Sequence, residues 1–168
     1  MARLMQYVTF YLDEKLYGLD IRFVDEVNPN VKIMDVPLSD PHIRGVVNIR
    51  GQVALVIDIM VIFGYAQRPV FDSSHIIILK TKQDLFRIKN VYSEIDLGGF
   101  GDKPVGFLTD MIGDVISVST DKIENPTRNI EKADSQFING IVKLKENLLI
   151  IIDPNKLLFY DTKRSDNN

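Results

Sequence analysis

Ile43 to Asp58 reads IRGVVNIRGQVALVID, and Ile138 to Asp153 reads INGIVKLKENLLIIID. The two stretches are 95 positions apart, and Ile43, Gly45, Val47, Ile57 and Asp58 recur as Ile138, Gly140, Val142, Ile152 and Asp153. Val46, Ile49, Arg50, Leu55 and Val56 recur conservatively as Ile141, Leu144, Lys145, Ile150 and Ile151. Each copy holds two short β-branched runs around a polar turn, the pattern of a hairpin. A short apolar segment follows each, Ile59 to Phe63 and Lys156 to Phe159. A second echo precedes them at an offset of 88: Gly18, Val24 and Val27 against Gly106, Ile112 and Val115. Two copies are too few for a solenoid. The hairpins are apolar on both faces near their middles, as expected if one face fills a barrel and the other meets its twin.

Outward from the repeat, the chain is rich in strands. Gln6 to Leu12 alternates, with Val8, Phe10 and Leu12 on one side. A second strand spans Leu16 to Leu19. Ile21 to Val27 reads as a short helix with Asp20 as its N-cap, stopped at Asn28-Pro29-Asn30. Further strands are expected at Lys32–Val36, Val46–Ile49, Val53–Ile57, Ile76–Leu79, Val105–Leu108, Val115–Val118, Ile141–Leu144 and Leu148–Ile152. The fold class is all-β: two small β-barrels packed together, with a few short helices. The first barrel is drawn from roughly 13–66 and the second from roughly 74–153, with terminal strands open to exchange. Residues 81–104 form an insertion outside the common core. Within it Leu85, Phe86 and Ile88 suit a packed strand or short helix, and Gly98-Gly99-Phe100-Gly101 reads as a mobile tip. Residues 163–168 read as a frayed tail.

Composition bounds the chemistry. The 168 residues are 45% hydrophobic and 26% charged, with a formal charge of −3. Basic residues are scattered, so neither nucleic acid nor an anionic membrane is an expected partner. There is no cysteine, so no disulfide, thiolate metal site or thiol nucleophile is available. No apolar run is long enough for a spanning helix, which needs about 20 residues, and the start carries no signal-peptide pattern. His42 and His75, the only histidines, lie outside any metal-ligand spacing and read as structural. Asp58 and Asp153, at matching places before short apolar segments, read as helix N-caps. No nucleophile–base pair or phosphate loop is present, so neither catalysis nor a cofactor or metal is expected.

The turn around Arg50 differs between the two copies. The first hairpin turns through Asn48-Ile49-Arg50-Gly51-Gln52, the second through Lys143-Leu144-Lys145-Glu146-Asn147. Gly51 suits a turn that needs positive φ. Spacing alone leaves Arg50 open between a solvated turn charge and an anchor whose planar fork meets a partner's carboxylate.

Tyr17-Gly18-Leu19-Asp20-Ile21 with Val24, Glu26 and Val27, then Val36-Pro37 and the whole block Ile43 to Asp58, resemble CheW-like domains. So do Val105-Gly106-Phe107-Leu108-Thr109-Asp110, Phe137-Ile138-Asn139-Gly140-Ile141 and Ile150-Ile151-Ile152-Asp153. The resemblance spans about residues 6 to 160. It implies two intertwined five-stranded β-barrels, and a cytoplasmic, non-catalytic adaptor that binds the chemoreceptor cytoplasmic tip and the regulatory domain of the histidine kinase CheA. It further implies receptor contact at Arg50, Val24 and Glu26, and at a groove near Ile112 and Val115. The 81–104 stretch departs from the short turn usual in the family. Competing readings are an adaptor of a pilus-motility or other non-flagellar array, a small β-barrel enzyme, and an oligonucleotide-binding barrel.

Overall fold

The computed structural model describes residues 1–29, 31–88, 97–126 and 135–166. Among the described residues ten strands form two five-stranded sheets. The first half supplies β1 (Leu4–Leu12), β2 (Lys15–Asp20), β3 (Val24–Asn28), β4 (Ile43–Ile49), β5 (Gln52–Ile57) and helix α1 (Ile59–Ile62). The second supplies β6 (His75–Leu79), β7 (Val105–Thr109), β8 (Met111–Ser119), β9 (Ile138–Lys143), β10 (Leu148–Ile152) and helix α3 (Pro154–Asp166), with helix α2 (Lys82–Phe86) between β6 and β7.

The halves exchange strands. Sheet I runs β8-β1-β2-β10-β9 and sheet II runs β3-β6-β7-β5-β4. The expected ranges 13–66 and 74–153 are cut by this exchange: β2 lies beside β10, and β6 and β7 lie among β3, β4 and β5. The repeat governs register as well as order. β10 pairs parallel with β2 through Ile150↔Tyr17 and Ile151↔Gly18. β5 pairs parallel with β7 through Leu55↔Val105 and Val56↔Gly106. These pairs match at the offsets read from the sequence.

Neither sheet closes into a barrel by a continuous ladder, a correction to the expected barrels. Each is tied across its open side by one antiparallel bridge, Met34↔Val46 in sheet II and Glu124↔Ile141 in sheet I. Pro29 interrupts the chain between β3 and the first bridge, and the 3-10 turn Thr120–Lys122 separates β8 from the second. The bridges explain a recurring glycine. A Cβ on Gly45 would lie 2.2 Å from the Met34 carbonyl oxygen, and one on Gly140 would lie 2.4 Å from the Ile123 side chain. Only glycine leaves room for the bridging segment at both places.

Several local expectations change. Asp20 does cap a helical turn, accepting the Arg22 N–H at 3.0 Å, but the turn is a 3-10 helix of three residues, Ile21–Phe23. Val24 and Val27 then pair with β6 as strand, because β-branched side chains gain more from the sheet than from a helix. Of the strand expected at Lys32–Val36 only the Met34 bridge forms. The chain from Lys163 to Asp166 continues α3 rather than fraying. Asp58 and Asp153 are N-caps as expected: Asp58 accepts the N–H groups of Met60 and Val61, and Asp153 those of Asn155 and Lys156. Asp58→Ala is expected to cost about 0.5–2 kcal/mol, with Asp58→Asn retaining most of it; the urea midpoint of the two variants checks this.

The core has three parts. Val47, Ile49, Ala54, Val56, Ile76 and Ile78 fill sheet II, and Tyr7, Leu16, Val118, Val142, Leu149 and Ile151 fill sheet I. The largest cluster is shared by both, from Phe10 and Leu12 through Ile77 and Phe107 to Leu157. The described parts of the segment expected outside the core, 81–88 and 97–104, contribute to it. Thr81 and Asp84 form a reciprocal capping box at the start of α2, which buries Leu85 and leaves Phe86 exposed. Leu97 and Phe100 are buried too, and Phe100 stacks on Phe23 with centroids 5.5 Å apart. The Gly99 N–H donates to the buried Asn155 Oδ1 at 2.5 Å, so the glycine turn is a docked connection at this end and not a free tip.

Candidate functional site

Arg50 sits at the tip of the β4–β5 hairpin. Ile49 pairs with Gln52, leaving Arg50 and Gly51 as a two-residue turn with φ of 50° and 83°. Two central residues at positive φ match the twist of the flanking strands. Asn48 Oδ1 accepts the Gly51 N–H at 2.9 Å and tightens the turn. Arg50 is thus held on a short, well-bonded hairpin, its side chain 71% exposed.

Glu26 comes to it from β3, the edge strand of sheet II opposite β4. Arg50 Nη2 donates to Glu26 Oε2 at 2.7 Å and to Asp25 Oδ2 at 3.4 Å. A bulge makes the meeting possible. Val24 pairs with Leu79 while Glu26 pairs with Ile78, so one extra residue enters β3 between them. Strict alternation would put Val24 and Glu26 on one face. The bulge turns Val24 towards the core shared by the sheets and Glu26 towards the hairpin. The matching strand β8 has the same irregularity, with Val115 opposite Val8 and Ile112 opposite Phe10. Ile112 and Val115 therefore share the side carrying Val8 and Phe10, members of the shared core. Val24 and Ile112 are half-buried against that core, and Val115 is exposed.

The five residues singled out from sequence fall into two sets. Glu26 and Arg50 form a polar pair at the hairpin tip, joined by Asp25, which the sequence reading did not select. Val24, Ile112 and Val115 lie at sheet edges on the inter-sheet side. An exposed ion pair of this kind contributes about 0.2–1 kcal/mol to folding, so stability does not explain it. Two carboxylates facing one guanidinium fix its orientation and leave it able to exchange one of them for a partner's carboxylate.

Other charges serve the frame. Arg44 reaches the capping Asp58 at 3.0 Å, and Arg68 grips Asp110 with both terminal nitrogens, at 2.5 and 2.9 Å. His42 is buried with Nε2 2.7 Å from Asp161 Oδ1 and its ring edge-on to Tyr160. That is a structural setting, fastening α3 to the approach to β4. Among the described residues no three His, Cys, Asp or Glu side chains gather as metal ligands, and no helix is long and apolar enough to cross a membrane.

Residues 6–160 match the family model described as CheW-like domain. The chain belongs to the CheW-like domain family. It is 29% identical over 160 residues to the chemotaxis protein CheW of Treponema pallidum, covering 90% of this chain and 81% of that one. The CheW of Bacillus subtilis is 29% identical over 158 residues, covering 94% and 89%. Among solved structures, the scaffolding protein TtCheW from Thermoanaerobacter tengcongensis superposes with a TM-score of 0.70 at 30% identity, covering 90% of this chain and 85% of that one. Family and fold together set this CheW-like domain among the chemotaxis scaffold adaptors.

Proposed function

We propose that this CheW-like domain couples the cytoplasmic tip of a chemoreceptor to the regulatory domain of the histidine kinase CheA, in the cytoplasm and without catalysis of its own. The observation that carries the reading is Arg50, exposed on a rigid two-residue turn and oriented by Glu26 and Asp25. A helical receptor tip offers carboxylates to a planar guanidinium and apolar side chains to an inter-sheet groove. Arg50 with Glu26 supplies the polar contact, and Val24, Ile112 and Val115 supply the apolar one. The pseudo-symmetric build supports an adaptor, because each half presents its own edge strand and hairpin, and the two hairpins differ in chemistry: Arg50-Gly51 in one, Lys145-Glu146 in the other.

An adaptor must hold two partners at once. Size-exclusion chromatography of the full chain with a receptor cytoplasmic fragment and the kinase regulatory domain is expected to give one ternary peak. Competition between the two, with only binary complexes formed, would reject coupling by this chain. A Val115→Asp variant is expected to weaken the receptor complex and leave the kinase complex intact.

A further inference from the structure

At the repeat's offset of 95, His42 corresponds to Phe137, and the fold treats the two alike. The Asp58 N–H donates to the His42 carbonyl oxygen at 2.8 Å, and the Asp153 N–H donates to that of Phe137 at 2.8 Å. Both side chains are buried, and both rings meet Tyr160 edge-on, with centroids 5.3 and 6.0 Å away. Phe137 shows that an apolar ring fills this place, so the fold does not require a polar group at 42. His42 is 1% exposed, and its Nδ1 is the one buried side-chain polar atom without a hydrogen-bond partner among the described residues. Leaving such an atom unpaired costs stability. What His42 adds over phenylalanine is its other nitrogen: Nε2 lies 2.7 Å from Asp161 Oδ1.

Asp161 reaches this place because α3 outruns its twin. α1 stops after four residues, where Gly64 takes a φ of 98°. Phe159 stands at the corresponding position, and the helix runs on to Asp166. Leu157 and Leu158 hold its early turns in the shared core. From Tyr160 on, the helix meets the approach to β4, a strand of sheet II, although it follows β10 of sheet I. The Asp161 side chain keeps 19% of its surface in solvent. A hydrogen bond at such a place exchanges for one to water at small net cost. A wholly apolar contact has no such replacement, since parting it only exposes surface to water.

We propose that His42 and Asp161 form a releasable clasp: the end of α3, residues 160–166, opens and closes as a local unit, tying the approach to β4 to the helix that follows β10 when closed and releasing it when open. The clasp stands apart from the adaptor surface and holds whether or not that reading does. The test is amide hydrogen exchange of the full chain, read alongside its urea midpoint. His42→Phe installs the twin's ring and is expected to leave the midpoint unchanged or raise it, because it removes the unpaired nitrogen. In the same variant amides at 160–166 are expected to exchange roughly five- to tenfold faster, the size of one hydrogen bond. Asp161→Ala should speed those amides by the same amount, and Asp161→Asn, which keeps the acceptor, should retain most of the protection. Amides of β4 and β9 are expected to be unaltered in all three. Unchanged or slower exchange at 160–166 in His42→Phe or Asp161→Ala overturns the proposal. So does equal acceleration in β4 and β9, or a lowered midpoint in His42→Phe, either of which makes His42 an ordinary stabilising residue.

Discussion

Replacing residues 84–103 by an Asn-Gly turn is expected to unfold the protein. The segment would pass for a surface insertion, which loops tolerate at small entropic cost. Its described ends are core, however: Leu85, Leu97 and Phe100 all belong to the cluster shared by the two sheets. Truncating a buried leucine costs about 2–5 kcal/mol and a buried phenylalanine about 3–5 kcal/mol. Three such losses together reach the whole stability of a typical domain, about 5–15 kcal/mol. The milder variant Phe100→Ala removes the ring stacked on Phe23 and is expected to cost about 3–5 kcal/mol. Circular dichroism in urea checks both. Cooperative unfolding of the deletion at the parent's midpoint would show that the segment is dispensable decoration.

Arg50→Ala is expected to weaken binding of a receptor cytoplasmic fragment by about 1–3 kcal/mol, roughly five- to 150-fold in Kd. Its folding cost is that of an exposed ion pair, about 0.2–1 kcal/mol, so the melting temperature should fall by no more than about 4 °C. Glu26→Ala separates orientation from contact. With Glu26 gone the guanidinium keeps only the longer 3.4 Å approach to Asp25 and loses its fixed direction. Its affinity should drop too, but less than for Arg50→Ala if Arg50 makes the partner contact. Arg50→Lys should recover only part of the loss, since an ammonium lacks the planar fork. A stability loss with unchanged receptor affinity would instead make Arg50 a structural residue. Calorimetric titration and thermal melts of the same preparations decide between them.

The sequence carried the repeat but not the parallel pairing of β5 with β7 and β10 with β2, although the paired residues recur at the repeat's offsets. A duplicated unit buries the same side chains in the same register, so identical positions reappear at fixed offsets. The capping roles of Asp58 and Asp153 were legible for the same reason. What escaped was set at a distance. The Ile21–Val27 helix failed because pairing with β6 outweighed an N-cap signal that is purely local. The Gly98–Gly101 turn read as mobile because nothing adjacent in sequence shows that Phe23 and Asn155 close over it. The Glu26–Arg50 contact spans 24 residues and depends on a bulge. One unpaired residue reverses which face every later side chain occupies, and no alternation pattern records it. Val24 and Glu26 were both selected from sequence, but only the bulge shows that they face opposite ways.

The most direct test of the adaptor reading is kinase activity in a reconstituted system. CheA is incubated with receptor-bearing membranes, with and without this chain, and phosphoryl transfer from ATP to the kinase is followed over time. Kinase activity should rise above the kinase-alone rate only when receptor and this chain are both present. Arg50→Ala should lower that gain while the folded fraction of the protein is unchanged. A rise of the same size without receptor, or no rise although both partners bind, would contradict the coupling role.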